Sequence, residues 1–109
     1  MTDHPWVKEF PGTIIVCDSQ GVLLEMNDWA AKQESERVAI GTNILDCHPE
    51  PARTKLKQML AGGQLNVYTI EKNGRKLLIY QAPWYTEGKY AGFVEFELDI
   101  PESLPHFIR

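Results

Sequence analysis

The chain has 109 residues, 43% apolar and 24% charged, which suits one globular domain with a single core and leaves no room for two. A net charge of −4 and a pI near 5.3 argue against a broad phosphate-binding surface, so nucleic acid is not an expected partner. No stretch approaches the roughly 20 apolar residues of a membrane-spanning helix, and Met1-Thr2-Asp3-His4-Pro5 lacks the regions of a signal peptide.

Two cysteines, Cys17 and Cys47, do not make a disulfide framework. The expected location is the cytoplasm, where both thiols stay reduced. The basic groups Arg53/Lys55/Lys57 and Arg75-Lys76 read as solvated faces rather than an anion site.

In chain order, Asp3 or His4 before Pro5 starts a short helix, with Trp6, Val7 and Phe10 on one face, ended by Pro11-Gly12. The β-branched run Thr13–Cys17 is a strand. The turn Asp18-Ser19-Gln20-Gly21 folds it back onto Val22–Met26. Asn27-Asp28 caps a helix through Gln33. Ser35 to Asp46, broken by Gly41, predicts one or two short helical turns.

Pro51 opens a longer helix from Ala52 to Leu60 or Ala61. Leu56, Met59 and Leu60 form its buried stripe, and Gly62-Gly63 stops it. Leu65–Lys72 turns through Asn73-Gly74 into Arg75–Tyr85, and Thr86–Lys89 turns again into Tyr90–Ile100. Pro101 and Pro105 break the tail. This order predicts an α+β fold: a five-stranded antiparallel sheet with short helices and one longer helix on one face.

Several short motifs occur in a fixed order along the chain. They are Gly12-Thr13-Ile14 with Asp18–Gly21, Asn27 before the first domain helix, Gly41-Thr42-Asn43-Ile44-Leu45-Asp46, His48-Pro49-Glu50, Asn73-Gly74, and Gly88-Lys89-Tyr90-Ala91-Gly92 before the last strand. With that strand's terminal Asp99-Ile100, they resemble the PAS family over residues 12 to 100. Residues 1–11 then form an N-terminal cap segment and 101–109 a tail. Cys47-His48-Pro49 is similar to a bacterial and archaeal PAS subgroup. The resemblance implies ligand sensing or protein interaction rather than a defined reaction. The typical "D-I-T" ending before a coiled coil is replaced by Asp99-Ile100-Pro101, which leaves relay through a helical linker in doubt and favours a stand-alone chain.

Candidate sites follow. The ligand pocket is expected between sheet and helices at Trp29, Cys47, His48, Leu56, Met59, Tyr80, Val94 and Phe96. Other aromatics suited to line it are Tyr68, Trp84, Tyr85 and Phe93, although a fully packed interior is the plainer reading of them. Alternation on the last strand sends Val94, Phe96 and Leu98 to one face and Phe93, Glu95 and Glu97 to the other, and the first set is expected to meet the helices. The homodimer or partner surface is then Trp6, Phe10, Phe93 and Glu95.

Cys47 and His48 are both metal-ligand types, but adjacent residues do not share one ion comfortably and no second ligand motif accompanies them. Their plain roles are a small hydrophobe and a helix-entry contact. His48 is the one candidate haem ligand; no other metal or catalytic residue is expected. The function expected is a PAS-type sensor binding a small ligand and relaying through a signalling partner. The alternatives are a ligand-free interaction module and a haem-based gas or redox sensor.

Overall fold

The computed structural model describes residues 3–34 and 39–109. Strands β1 (Thr13–Asp18), β2 (Leu23–Met26), β3 (Asn66–Lys72), β4 (Arg75–Thr86) and β5 (Lys89–Asp99) make one antiparallel sheet in the order β2-β1-β5-β4-β3. The first and last strands are therefore neighbours at its centre. Between β2 and β3 the chain forms α2 (Asp28–Glu34), a 3-10 turn (Ile44–Cys47) and α3 (Ala52–Gly62), and α1 (Pro5–Lys8) precedes β1. The expected α+β arrangement is present.

Local chemistry explains the joins. Asn73 and Gly74 have φ of 54° and 74°, and Glu87 and Gly88 have 50° and 78°; paired positive φ values are what a two-residue hairpin needs to match strand twist. At the first hairpin Asp18 Oδ1 accepts from the Gln20 and Val22 amides, each at 2.9 Å, an Asx-type closure. Gly63, at φ 60°, caps α3 by donating its amide to the Met59 carbonyl at 2.9 Å. Pro83 is tolerated inside β4 because β3 pairs only as far as Gln81.

The segment expected to hold short helical turns contributes the 3-10 turn. Asn43 caps it, accepting from the Leu45 amide at 2.9 Å and donating to the Gln20 carbonyl at 2.9 Å. The start of that segment, Ser35 to Val38, lies outside the described residues. Backbone hydrogen bonds from Leu23 to Thr42, Gly41 to Leu23 and Ile44 to Gly21 then bind the turn to the β1–β2 hairpin.

The two sheet faces correct one expectation. Phe93 packs with Cys17, Met59 and Leu60, so the odd-numbered residues of β5 meet the helices. Ile14, Val94, Phe96 and Leu98 lie on the opposite face; Ile14 pairs with Phe96 and Phe96 with Tyr80 across the strands. The Phe10 ring and Leu98 flank Gly12 there, so the N-terminal segment covers part of this outer face. Trp6 does not; it is 73% exposed and its ring rests near His4.

Candidate functional site: a cavity between sheet and helices

The inward face of a small sheet normally meets helices in a continuous packed core. Here the apolar contacts close only one end. Cys17, Met59, Leu60 and Phe93 form a buried cluster with Ile44, Leu45, Leu56 and Tyr90 packed against it. Tyr90 ties the sheet to α3 by donating its hydroxyl to the Leu60 carbonyl at 2.7 Å, and its ring meets Phe93 edge-on with centroids 6.0 Å apart. Beside this cluster the interior opens into a cavity of about 630 Å³, within the range that takes a small organic ligand.

Its walls differ in character. The helical wall is Ile44, Leu56, Met59 and Leu60, with Cys47 and His48 at the turn before α3. The sheet wall begins with Ile15, Cys17 and Phe93 and becomes polar through Tyr68, Gln81, Glu95 and Glu97. Asn66 Nδ2 donates to Gln81 Oε1 at 2.9 Å, and Gln81 Nε2 donates to Glu95 Oε1 at 2.5 Å. This relay across three strands fixes the Gln81 amide and holds the Glu95 carboxylate in place. Burial raises the Tyr68 phenol pKa, and the nearby charges of Glu95 and Glu97 raise it further.

Of the expected pocket residues, Cys47, His48, Leu56 and Met59 line this cavity, whereas Trp29, Tyr80, Val94 and Phe96 do not. Trp29 sits on a separate small cleft with Thr13, Lys72, Arg75 and Glu97. Tyr80, Val94 and Phe96 occupy the outer face. Glu95, expected on the partner surface, instead lines the cavity, as does Phe93, expected in either place; of the other candidate aromatics Tyr68 lines it and Trp84 and Tyr85 do not. Reading carboxylates as outward-facing inverted the strand, because the interior here is not wholly apolar. Gln81 and Glu97 line the cavity too; the odd-position Phe93-Glu95-Glu97 set contains Glu97, whereas Gln81 is brought in by its pairing with Glu95 from β4.

His48 Nδ1 lies 2.6 Å from the Ile44 carbonyl oxygen. A carbonyl only accepts, so Nδ1 carries a proton and donates here. The thiols differ sharply. Cys17 is buried and Cys47 exposed; burial raises the Cys17 pKa, against the lowering effect of a backbone hydrogen bond involving Phe93. One thiol per native chain should react quickly with a disulfide reagent such as Ellman's. Cys47→Ser should abolish that phase, with Cys17 reacting only after denaturation. Two fast thiols in the native protein would contradict this burial.

Among the described residues no group of three or more His, Cys, Asp or Glu is placed to hold a metal ion, and no helix is long and apolar enough to cross a membrane. No family model and no curated relative matches the sequence. Solved structures do. The PAS domain of BvgS from Bordetella pertussis is 18% identical with a TM-score of 0.65, over 93% of this chain and 85% of that one. A PAS domain of an HTR-like protein from Haloarcula marismortui is 18% identical with a TM-score of 0.61, over 88% and 92%. The Aer2 receptor of Vibrio cholerae, described as a dual PAS-haem oxygen sensor, is 14% identical with a TM-score of 0.63, over 83% and 95%. The fold is the PAS fold.

Proposed function

We propose that this PAS-fold domain is a signal-sensing module whose small ligand occupies the cavity between sheet and α3. It relays the signal through protein contacts on the outer sheet face. The carrying observation is the cavity itself, an unfilled interior with one apolar and one polar wall. A domain of this size is marginally stable, and this partly open cleft leaves apolar surface on Leu56, Met59 and Phe93 that a ligand would bury. A ligand shifts such a domain only by binding one conformation better than another. No catalytic step is part of this reading.

The outer face suits the relay. Tyr80 and Val67 are exposed beside the partly buried Val94 and Phe96, and Phe10 borders the same side next to Leu98. A homodimer through this face and the N-terminal segment is the reading we adopt, with a signalling protein as the downstream partner. Light scattering reads it directly, and a monomer throughout the micromolar range would remove it.

Haem is the competing occupant, favoured by the place of the His48 imidazole on the cavity lining and by the haem-binding neighbour's fold. The lining fits it poorly. Haem brings two propionates, while the described residues of the lining include two carboxylates and no Lys or Arg. The test of the sensing reading is a fragment screen followed by methyl resonances. Some fragments should raise the melting temperature and shift the Met59 methyl, and Leu56→Trp, which fills the space, should abolish both effects. A library that leaves Met59 unmoved would overturn it.

A further inference from the structure

The two edges of the sheet are guarded differently. β2 has 4 residues, its ladder with β1 shifts register between Val16 and Cys17, and its open side is covered by the segment before the 3-10 turn, through the Leu23–Thr42 and Gly41–Leu23 backbone hydrogen bonds. β3 has 7 residues in unbroken register with β4 and contains no proline. Leu65, Val67 and Tyr68 are exposed along it. A long, regular edge strand of this kind is a template for another strand.

The Asn73-Gly74 hairpin fixes which backbone groups of β3 face outwards. Lys72 and Arg75 flank its two-residue turn and so form a hydrogen-bonded pair, from which bonded and non-bonded pairs alternate. The Lys76 carbonyl accepts from the Ile100 amide at 2.9 Å. That turns Lys76 towards β5, and Glu71, opposite it, away from β4. Val67, Thr69 and Glu71 therefore aim their N–H and C=O groups at the open edge, where no other backbone group of the described residues meets them.

We propose that this edge takes the β3 edge of a second copy of the chain, antiparallel about Thr69, so that two sheets become one. The strand is complementary to itself in that register. Val67 lies opposite Glu71 of the second copy, Thr69 opposite Thr69, and Glu71 opposite Val67. Each of these pairs uses outward-facing backbone, about six hydrogen bonds in all. Tyr68 meets Ile70 of the second copy, and Ile70 its Tyr68; these aromatic–aliphatic pairs and the threonine pair are favourable cross-strand neighbours. Lys72 falls opposite Asn66, so no like charges face each other directly across the join. The covered β2 edge stops the pairing at two chains, a closed two-fold contact rather than a fibre. Tyr68 also lines the cavity, which brings Ile70 of the second copy beside that flank. The contact is separate from the outer sheet face and does not rest on the cavity reading.

The test combines sedimentation across the micromolar range with amide exchange. In the wild type the Val67, Thr69 and Glu71 amides should slow about tenfold or more as concentration rises and chains pair. Thr69→Pro removes an outward-facing N–H and spares the bonds to β4. It should halve the assembled mass, from dimer to monomer or, where the outer face also pairs, from tetramer to dimer. The Tyr68 and Ile70 amides, which bond β4, should stay protected. Should that variant fail to fold, Thr69→Lys decides: it sets two ammonium groups opposite each other, and its chains should separate at low salt. Unchanged assembly in the variants that fold overturns the edge contact and leaves the outer face to hold any dimer. Outward amides that exchange freely at every concentration overturn it too, as does protection that appears only when a different protein is added.

Discussion

Asn27→Ala should lower stability by about 3–5 kcal/mol, which for a domain of this length moves the melting temperature down by roughly 15–25 °C. Asn27 is 1% exposed and both ends of its amide are in use. Oδ1 accepts from the Ile14 and Ala30 amides, each at 3.1 Å. Nδ2 donates to the Gly12 carbonyl at 2.8 Å and to those of Val7 and Phe10 at 3.3 Å each. One side chain thus caps α2, pairs with β1 and ties down the segment running from α1 into β1. Truncation leaves several buried backbone groups without partners, and each such loss is dearer than a hydrogen bond is beneficial.

The aspartate variant separates this account from simple helix capping. Asn27→Asp keeps an oxygen for Ile14 and Ala30 and remains a good N-cap. It replaces the donor facing three carbonyl oxygens with a further acceptor. Asn27→Asp should therefore be as damaging as Asn27→Ala, with early loss of amide protection around Val7 and Phe10. An aspartate variant within 1 kcal/mol of wild type, by chemical denaturation, would reduce Asn27 to a helix cap.

That distinction also marks what the sequence makes legible. Asn27 before an amphipathic segment reads as a cap from local chemistry alone, and so do the Asn73-Gly74 hairpin, the Gly63 stop and the Leu56/Met59/Leu60 stripe. Each depends on residues a few positions apart. The grip of Asn27 on Val7, Phe10 and Gly12 depends on chain segments that meet only after folding, and no spacing rule reports it. The same limit governs β5. Period-two alternation divides Phe93–Leu98 into two sets, but both sets contain apolar residues, so the choice of inward face rests on which set meets α3. Assigning the carboxylates to solvent is sound for a filled interior. It fails where the interior holds a cavity whose polar wall is made by those carboxylates, and a void has no signature in sequence because it is what packing leaves over. His48 and Cys47 come to border the cavity because they sit at the entry to α3, next to the helix stripe that the pattern does reveal.

The second large effect is expected at Gly92. This residue lies on the central strand β5, in register with Asp18 at the end of β1 and with Trp84 of β4, with φ of 155°. A Cβ there would run into the Cys17 carbonyl oxygen and lie 2.8 Å from the Asp18 Cα and carbonyl carbon. These are backbone atoms of a paired strand, so relief requires parting β1 from β5 rather than turning a side chain. The same Cys17 carbonyl accepts the Trp84 indole N–H at 3.0 Å, a contact that reaches from β4 across β5 and would be displaced too. Gly92→Ala should cost more than about 4 kcal/mol, in the range reserved for severe steric or strain defects, and much of the protein should be insoluble. Gly88→Ala is the control. It also has a positive φ, 78°, but nothing within 4 Å of its Cβ, and should cost only about 1 kcal/mol. Whatever Gly92→Ala protein folds should also lose ligand binding, because Cys17 and Phe93, paired across the strands that are forced apart, form part of the cavity wall. Equal stability of the two alanine variants would mean that β1 and β5 separate freely, and that the close approach at Gly92 does not define the sheet.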